Sequence, residues 1–228
     1  MPTYILIGML AIKKRPRRAA ITPRNPRRTR ERLLRAAFQE VYKSGFRGTD
    51  LETILATARV TKGALYHHFA SKEDLGYAVV DEVILGITRD KWLQPLKNIE
   101  NPIDALVAVL QSRSTEQEEL QCGCPLNNLA QEMSPLDERF RVKLAKVFSA
   151  WHKGISAALR QGQKLGLVRS DVDSDETATF LIAAFEGCMS LAKNSQDVLV
   201  LRSVKKGMIR YLESLRAGGG RSRASGPG

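Results

Sequence analysis

The chain has little of several things that mark particular protein classes. Cysteine is scarce, with only Cys122, Cys124 and Cys188. A small odd number argues against a disulfide-stapled secreted domain and for a reducing compartment. No apolar run reaches the roughly 18–20 residues that a membrane span needs. The stretch from Tyr4 to Ile12 is apolar but short, and its basic residues follow it, the wrong order for a secretory signal. The expected location is therefore the cytoplasm. Histidine is limited to His67, His68 and His152. None of them stands near a cysteine, and Cys-x-Cys spacing suits zinc poorly, so no metal and no other cofactor is expected. No Ser-His-Asp arrangement or phosphate loop stands out, which argues against an enzyme. Convincing strand alternation and internal repeats are also missing.

Acids are rare where bases are dense. Residues 1–35 hold eleven Lys and Arg against the single acid Glu31, and so carry +10 of the formal +12. Such a balance suggests a polyanionic partner. The prolines at 2, 16, 23 and 26 make a long helix there unfavourable, so residues 1–28 read as a disordered basic arm. That arm could follow a phosphate backbone or a minor groove, or simply be a solvated tail. The Gly/Ser-rich stretch 217–228 reads as a disordered tail.

From Thr29 onward the periodicity is helical. Leu34, Phe38 and Val41 form a stripe that ends at Ser44-Gly45. Thr49 with Glu52 reads as a capping box, Thr61 as the cap of the next short helix, and Ser71 with Asp74 as the start of a long helix to about Trp92. Asn101-Pro102-Ile103-Asp104 and Ser134-Pro135-Leu136-Asp137 both read as cap, proline and first-turn acid. Further helices are expected to end near Gly166, to start at Ser174, and to run from about Asp197 to Arg216. The fold class is all-α, with a helix-turn-helix unit at 29–78 and a larger helical domain at 79–216.

The informative stretch runs from Phe46 to Leu75. It reads as two short capped helices joined by a tight turn at about 58–60, the arrangement that lets a second helix enter the major groove of DNA. That helix carries Thr61, Lys62, Gly63, Ala64, Tyr66 and His67 outward, while Leu65 and Phe69 point inward. Lys62 can reach a phosphate or a guanine acceptor, and Thr61, Tyr66, His67 and Lys72 suit phosphate oxygens. His68 is assigned to packing. The pattern Thr49…Ile54…Ala58-x-Val60-Thr61-Lys62-Gly63-Ala64-Leu65-Tyr66-x-His68-Phe69-x-x-Lys72-Glu73-x-Leu75 resembles the DNA-binding domain of the TetR family of transcriptional regulators. The resemblance covers about residues 29–80. It implies that Thr61, Lys62, Gly63, Ala64 and Tyr66 face DNA and that Thr49, His67 and Lys72 contact its backbone. One departure is Arg59, where the family usually has glycine. A left-handed turn there costs a non-glycine residue roughly 1 kcal/mol.

An all-helical second domain of this type is expected to bind an unidentified small molecule between its helices. Leu126, Met133, Phe148, Trp151, Phe185 and Met189 are the candidate wall residues, with plain core packing as the competing reading. Cys122-Gly123-Cys124-Pro125 resembles a segment of family members that sense electrophiles or oxidants. A cysteine at a helix N-terminus has its thiolate favoured by the dipole, which makes Cys122 and Cys124 redox candidates. The competing reading is a small buried side chain. The last two helices, with Ala183, Ala184 and Gly187, are expected to form a homodimer that reads a palindromic double-stranded operator. The alternative is a non-specific nucleic-acid-binding protein without an effector.

Overall fold

Carboxylate and hydroxyl side chains at the helix starts explain where this chain turns helical. The computed structural model describes residues 26–97, 100–112 and 117–218. Among them the regular structure is helical, apart from one isolated antiparallel bridge between Val168 and Arg216. No described helix is long and apolar enough to cross a membrane.

Helix α1 (Pro26–Gly48) begins three residues before the expected end of the basic arm. Pro26 sits in the first turn, where its missing N–H leaves no bond unmade. The rest of the arm, residues 1–25, and residues 219–228 of the tail lie outside the described residues. Leu33, Leu34, Ala37 and Val41 make the inner face of α1. The helix breaks at Gly45, which adopts φ 75° and ψ 166°. Only glycine takes that conformation at little cost, and the break sends Phe46 back into the core.

Helices α2 (Leu51–Ala58) and α3 (Lys62–Tyr66) follow. The cap of α2 is Asp50, whose side chain accepts from the Thr53 N–H at 3.3 Å, and not Thr49 as the sequence suggested. Thr49 is only 4% exposed, and its hydroxyl donates to the Gly45 carbonyl at 2.6 Å. Helix α2 stops at Arg59, which adopts a left-handed conformation with φ 52°. Thr61 caps α3 by accepting from the Ala64 N–H at 3.2 Å.

Ser71 caps α4 (Lys72–Ala78) by accepting from the Asp74 N–H at 3.1 Å. Helix α4 continues through a π segment (Val79–Ile84), α5 (Leu85–Thr88), a second π segment (Arg89–Leu93) and a 3-10 turn (Gln94–Leu96). Residues 72–96 thus form one rod, and the division expected at residue 78 falls inside it.

Helices α6 (Pro102–Ser112), α7 (Gln117–Cys122), α8 (Pro125–Met133), α9 (Glu138–Lys164), α10 (Ser174–Ser195) and α11 (Val198–Ser214) build the second domain. Asn101, Asp173 and Asp197 accept from the first free N–H groups of α6, α10 and α11. At α9 the cap is Asp137, which accepts from the N–H groups of Arg139 and Phe140. Ser134, read from the sequence as a cap, instead terminates α8.

Two aromatic clusters tie the layers together. Phe46, Phe140 and Tyr77 join the DNA-binding unit to α9 and the rod, with ring centroids 4.8 and 4.7 Å apart. Trp92, Trp151 and Phe185 join the rod to α9 and α10, at 4.6 and 4.7 Å from Trp92. Each such side chain contributes about 1.5–3 kcal/mol by burial. Gly76 permits the first cluster, because a Cβ there would lie 2.5 Å from a Phe46 ring atom and 2.7 Å from Phe140.

Candidate DNA interface and effector cavity

Helix α3 divides its side chains sharply. Leu65 and Phe69 are buried, and they fix the helix against α1. Thr61, Lys62, Gly63, Tyr66 and His67 are exposed, and Ala64 is half-buried. Tyr66 keeps 49% of its surface in solvent, unusual for so large a ring. A Cβ at Gly63 would meet nothing within 4 Å, so the fold itself does not require glycine there. Lys62 forms an exposed ion pair with Glu52 at 3.5 Å. Such a pair is worth about 0–1 kcal/mol and is easily exchanged for a phosphate. His67 stacks edge-on against His68 at 5.1 Å.

Two expected DNA-contact residues are turned inward instead. Thr49 is buried as described above. The Lys72 ammonium donates to the Thr49 carbonyl and lies 4.8 Å from the centre of the Phe46 ring. These contacts give both residues intramolecular partners, because the α2 cap falls on Asp50 and the Phe46 ring lies beside Lys72.

Sequence reading overlooked Arg32. Its guanidinium donates to the carbonyls of Ala58 and Arg59, bracing the C-terminal end of α2 and the turn into α3. A cation is favoured there by the helix dipole. Nothing local marks this role, since the contact spans 26 residues. Arg32, Arg59, Thr61 and Lys62 line one shallow depression beside α3.

The second domain joins this unit through α8. The Glu132 carboxylate accepts from the N–H groups of Phe46 and Arg47, both at 2.7 Å, immediately after the Gly45 break. The Tyr42 hydroxyl donates to the Gly123 carbonyl at 2.6 Å. A cavity of about 420 Å³ lies at this junction, between α1, the rod, the start of α8, α9 and α10. Leu126, Trp151, Phe185 and Met189 line it, as expected for effector contacts. Met133 and Phe148 do not. Met133 sits two turns further along α8, buried in the core, and Phe148 packs half-buried against that core. Phe38, Tyr42, Ile84 and Trp92 also line the cavity. Sequence reading missed them because α1 and the rod were assigned to other tasks.

The surroundings of Cys124 favour its thiol over the thiolate that its place at a helix start suggested. Cys124 is the residue before the first turn of α8, and its thiol donates to the Glu186 carboxylate at 3.2 Å. Burial and that carboxylate push its pKa up, outweighing the nearby N–H groups of Asn127 and Leu126. The helix-dipole argument for a thiolate therefore fails at Cys124 as the structure stands. Cys122 is half-buried, and its carbonyl accepts from the Asn128 side chain at 2.6 Å.

Comparison with known proteins agrees with this architecture. The family model described as "Bacterial regulatory proteins, tetR family" matches residues 33–79. The one described as "Tetracyclin repressor-like, C-terminal domain" matches residues 101–208. The transcriptional repressor DhaR of Mycobacterium sp. strain GP1 is 30% identical over 179 residues, covering 74% of this chain and 86% of that protein. An uncharacterised helix-turn-helix regulator of Lactococcus lactis is 34% identical over 188 residues, covering 78% and 90%. Among solved structures, a TetR regulator from Chloroflexus aurantiacus superposes with a TM-score of 0.75 at 27% identity, over 85% of this chain and 98% of that one. The reduced form of the Escherichia coli repressor NemR superposes with a TM-score of 0.70 at 27% identity, over 83% and 97%. The chain belongs to the TetR family of transcriptional regulators, DNA-binding proteins whose helix-turn-helix unit here is α2 and α3.

Proposed function

We propose that this regulator binds a palindromic operator as a homodimer and releases it when a small molecule enters the cavity at the domain junction. The exposed, small-residue face of α3 carries the reading, because Gly63 and Tyr66 have no packing reason for what they present. Gly63 and Ala64 let the helix approach base edges. Lys62 and Tyr66 reach bases or phosphates, and Thr61 and His67 contact the backbone. Thr49 and Lys72 are left to support the unit from inside.

Dimerisation through α10 and α11 is supported by an exposed apolar stripe. Phe180 and Leu191 are 49% and 59% exposed, and Ala183 and Gly187 lie between them on α10. A Cβ at Gly187 or Gly207 would meet nothing within 4 Å among the described residues, which leaves room for the close approach of a second copy. A two-fold dimer sets two copies of α3 one DNA turn, or a multiple of it, apart. Repression is the proposed sign, after the repressors among the relatives.

Fluorescence anisotropy tests the reading. The duplex is one enriched from a random-sequence pool, titrated at several salt concentrations beside its scrambled counterpart. Specific binding exceeds scrambled binding by about 10³-fold or more. Equal affinity for both would instead support the non-specific nucleic-acid-binding alternative.

A further inference from the structure

We infer that the junction cavity accepts a small aromatic monocarboxylate, its carboxylate held near Arg35 and Lys91 and its ring among the tryptophans. The inference rests on the effector reading above and specifies the chemistry of that site.

The cavity's size falls within the roughly 300–1,000 Å³ of small-molecule sites. Its apolar wall is rich in rings, with Trp92, Trp151 and Phe185 in mutual contact. Rings that line a cavity offer an aromatic guest edge-to-face and stacking contacts. Among the described residues the charged side chains that line it are both cations, the exposed Arg35 on α1 and Lys91 on the rod. A buried acid behind the wall, Glu186, accepts from the Cys124 thiol.

The polar wall groups leave one buried donor over. The Tyr42 hydroxyl is engaged with Gly123, and the Thr88 hydroxyl donates to the Ile84 carbonyl at 3.0 Å. Trp151 is 2% exposed, and its indole N–H has no hydrogen-bond partner among the described residues. An unmade bond of that kind costs about 1–3 kcal/mol. An acceptor on the ring of a guest that reaches this N–H would satisfy it. Such a guest bridges α1, which carries the DNA-binding unit, and the second domain, so its binding bears directly on how the two are held.

Calorimetry on the full chain tests this with three probes: 4-methoxybenzoate, its amide 4-methoxybenzamide, and 4-methylbenzoate, which lacks the ring acceptor. The carboxylate is expected to bind at least about tenfold more tightly than the amide, as loss of a charge-assisted bond implies. It should also bind more tightly than 4-methylbenzoate. The variants R35Q and K91Q are surface changes and should fold. Each should weaken the carboxylate about tenfold while leaving the amide within about twofold. Both tryptophans lie in the wall, so their fluorescence must change on binding. Equal binding of acid and amide, or binding of neither, overturns the inference. Operator affinity is measured in parallel. Carboxylate binding with unchanged operator affinity sinks the release mechanism but keeps this site, whereas specific operator binding without carboxylate binding does the reverse.

Discussion

Tyr66, Lys62 and Gly63 stand out on α3 because all three are exposed, and the ion pair of Lys62 with Glu52 is itself at the surface. Replacing Lys62 or Tyr66 with alanine should weaken operator binding at least about tenfold, since each removes a contact worth about 1–3 kcal/mol. Thermal stability should stay within about 0.5 kcal/mol, because both side chains are exposed. Arg59 gives a reciprocal prediction. Its left-handed conformation suits glycine better, so Arg59→Gly should stabilise the fold by up to about 1 kcal/mol. The same change should weaken DNA binding by removing a cation beside α3, and anisotropy and thermal melts separate the two effects. His68 adds a pH dependence. Burial, then His67 and Arg30, hold its pKa below the ordinary histidine value. The folded state therefore favours neutral His68, and its contribution is complete above the unfolded pKa of about 6.5 and lost as pH falls below that through the lower folded pKa. The melting midpoint should drop from pH 7 to pH 5, and His68→Gln should flatten that drop. An unchanged slope in the variant would contradict the assignment.

At the scale of elements, α8 is one of the parts that join the two domains. Its start lines the cavity, and Glu132 near its end holds the N–H groups of Phe46 and Arg47. Glu132→Ala leaves those two donors unpaired, which should destabilise the protein by about 1–3 kcal/mol. Operator binding should survive while the response to effector falls, as read by anisotropy with and without effector. Local grammar made many elements legible. Thr61, Ser71 and Asn101 cap helices because a hydroxyl or amide faces the N–H groups two or three residues on, and that geometry depends on sequence alone. The same grammar misled at two places. At 49–50 and at 134–137 two capping residues stand close together, and tertiary packing selected Asp50 and Asp137. The π segments within the rod have no sequence signal, because they answer to the helices packed around them.

For the whole molecule, the fold class and the place of the helix-turn-helix unit followed from periodicity and from many matched positions. The cavity did not. Phe38, Tyr42, Arg35 and Trp92 reach it only because α1 and the rod pass the second domain, and contacts so distant in sequence leave no spacing to read. Assembly carries its own prediction. Phe180→Arg with Leu191→Arg places charge on the exposed stripe of α10. The double variant should sediment as a monomer and lose roughly 100-fold or more in operator affinity, since two linked half-site contacts become independent. A variant that remains dimeric would move the interface elsewhere.

Photo-crosslinking from position 66 tests the central claim most directly. Tyr66 is replaced by a photoreactive phenylalanine analogue, and the protein is irradiated on its selected duplex. Crosslinks should map to two symmetric positions, one DNA turn or a multiple of it apart. Tight and specific binding without any crosslink from position 66 would show that another face of the protein reads the DNA.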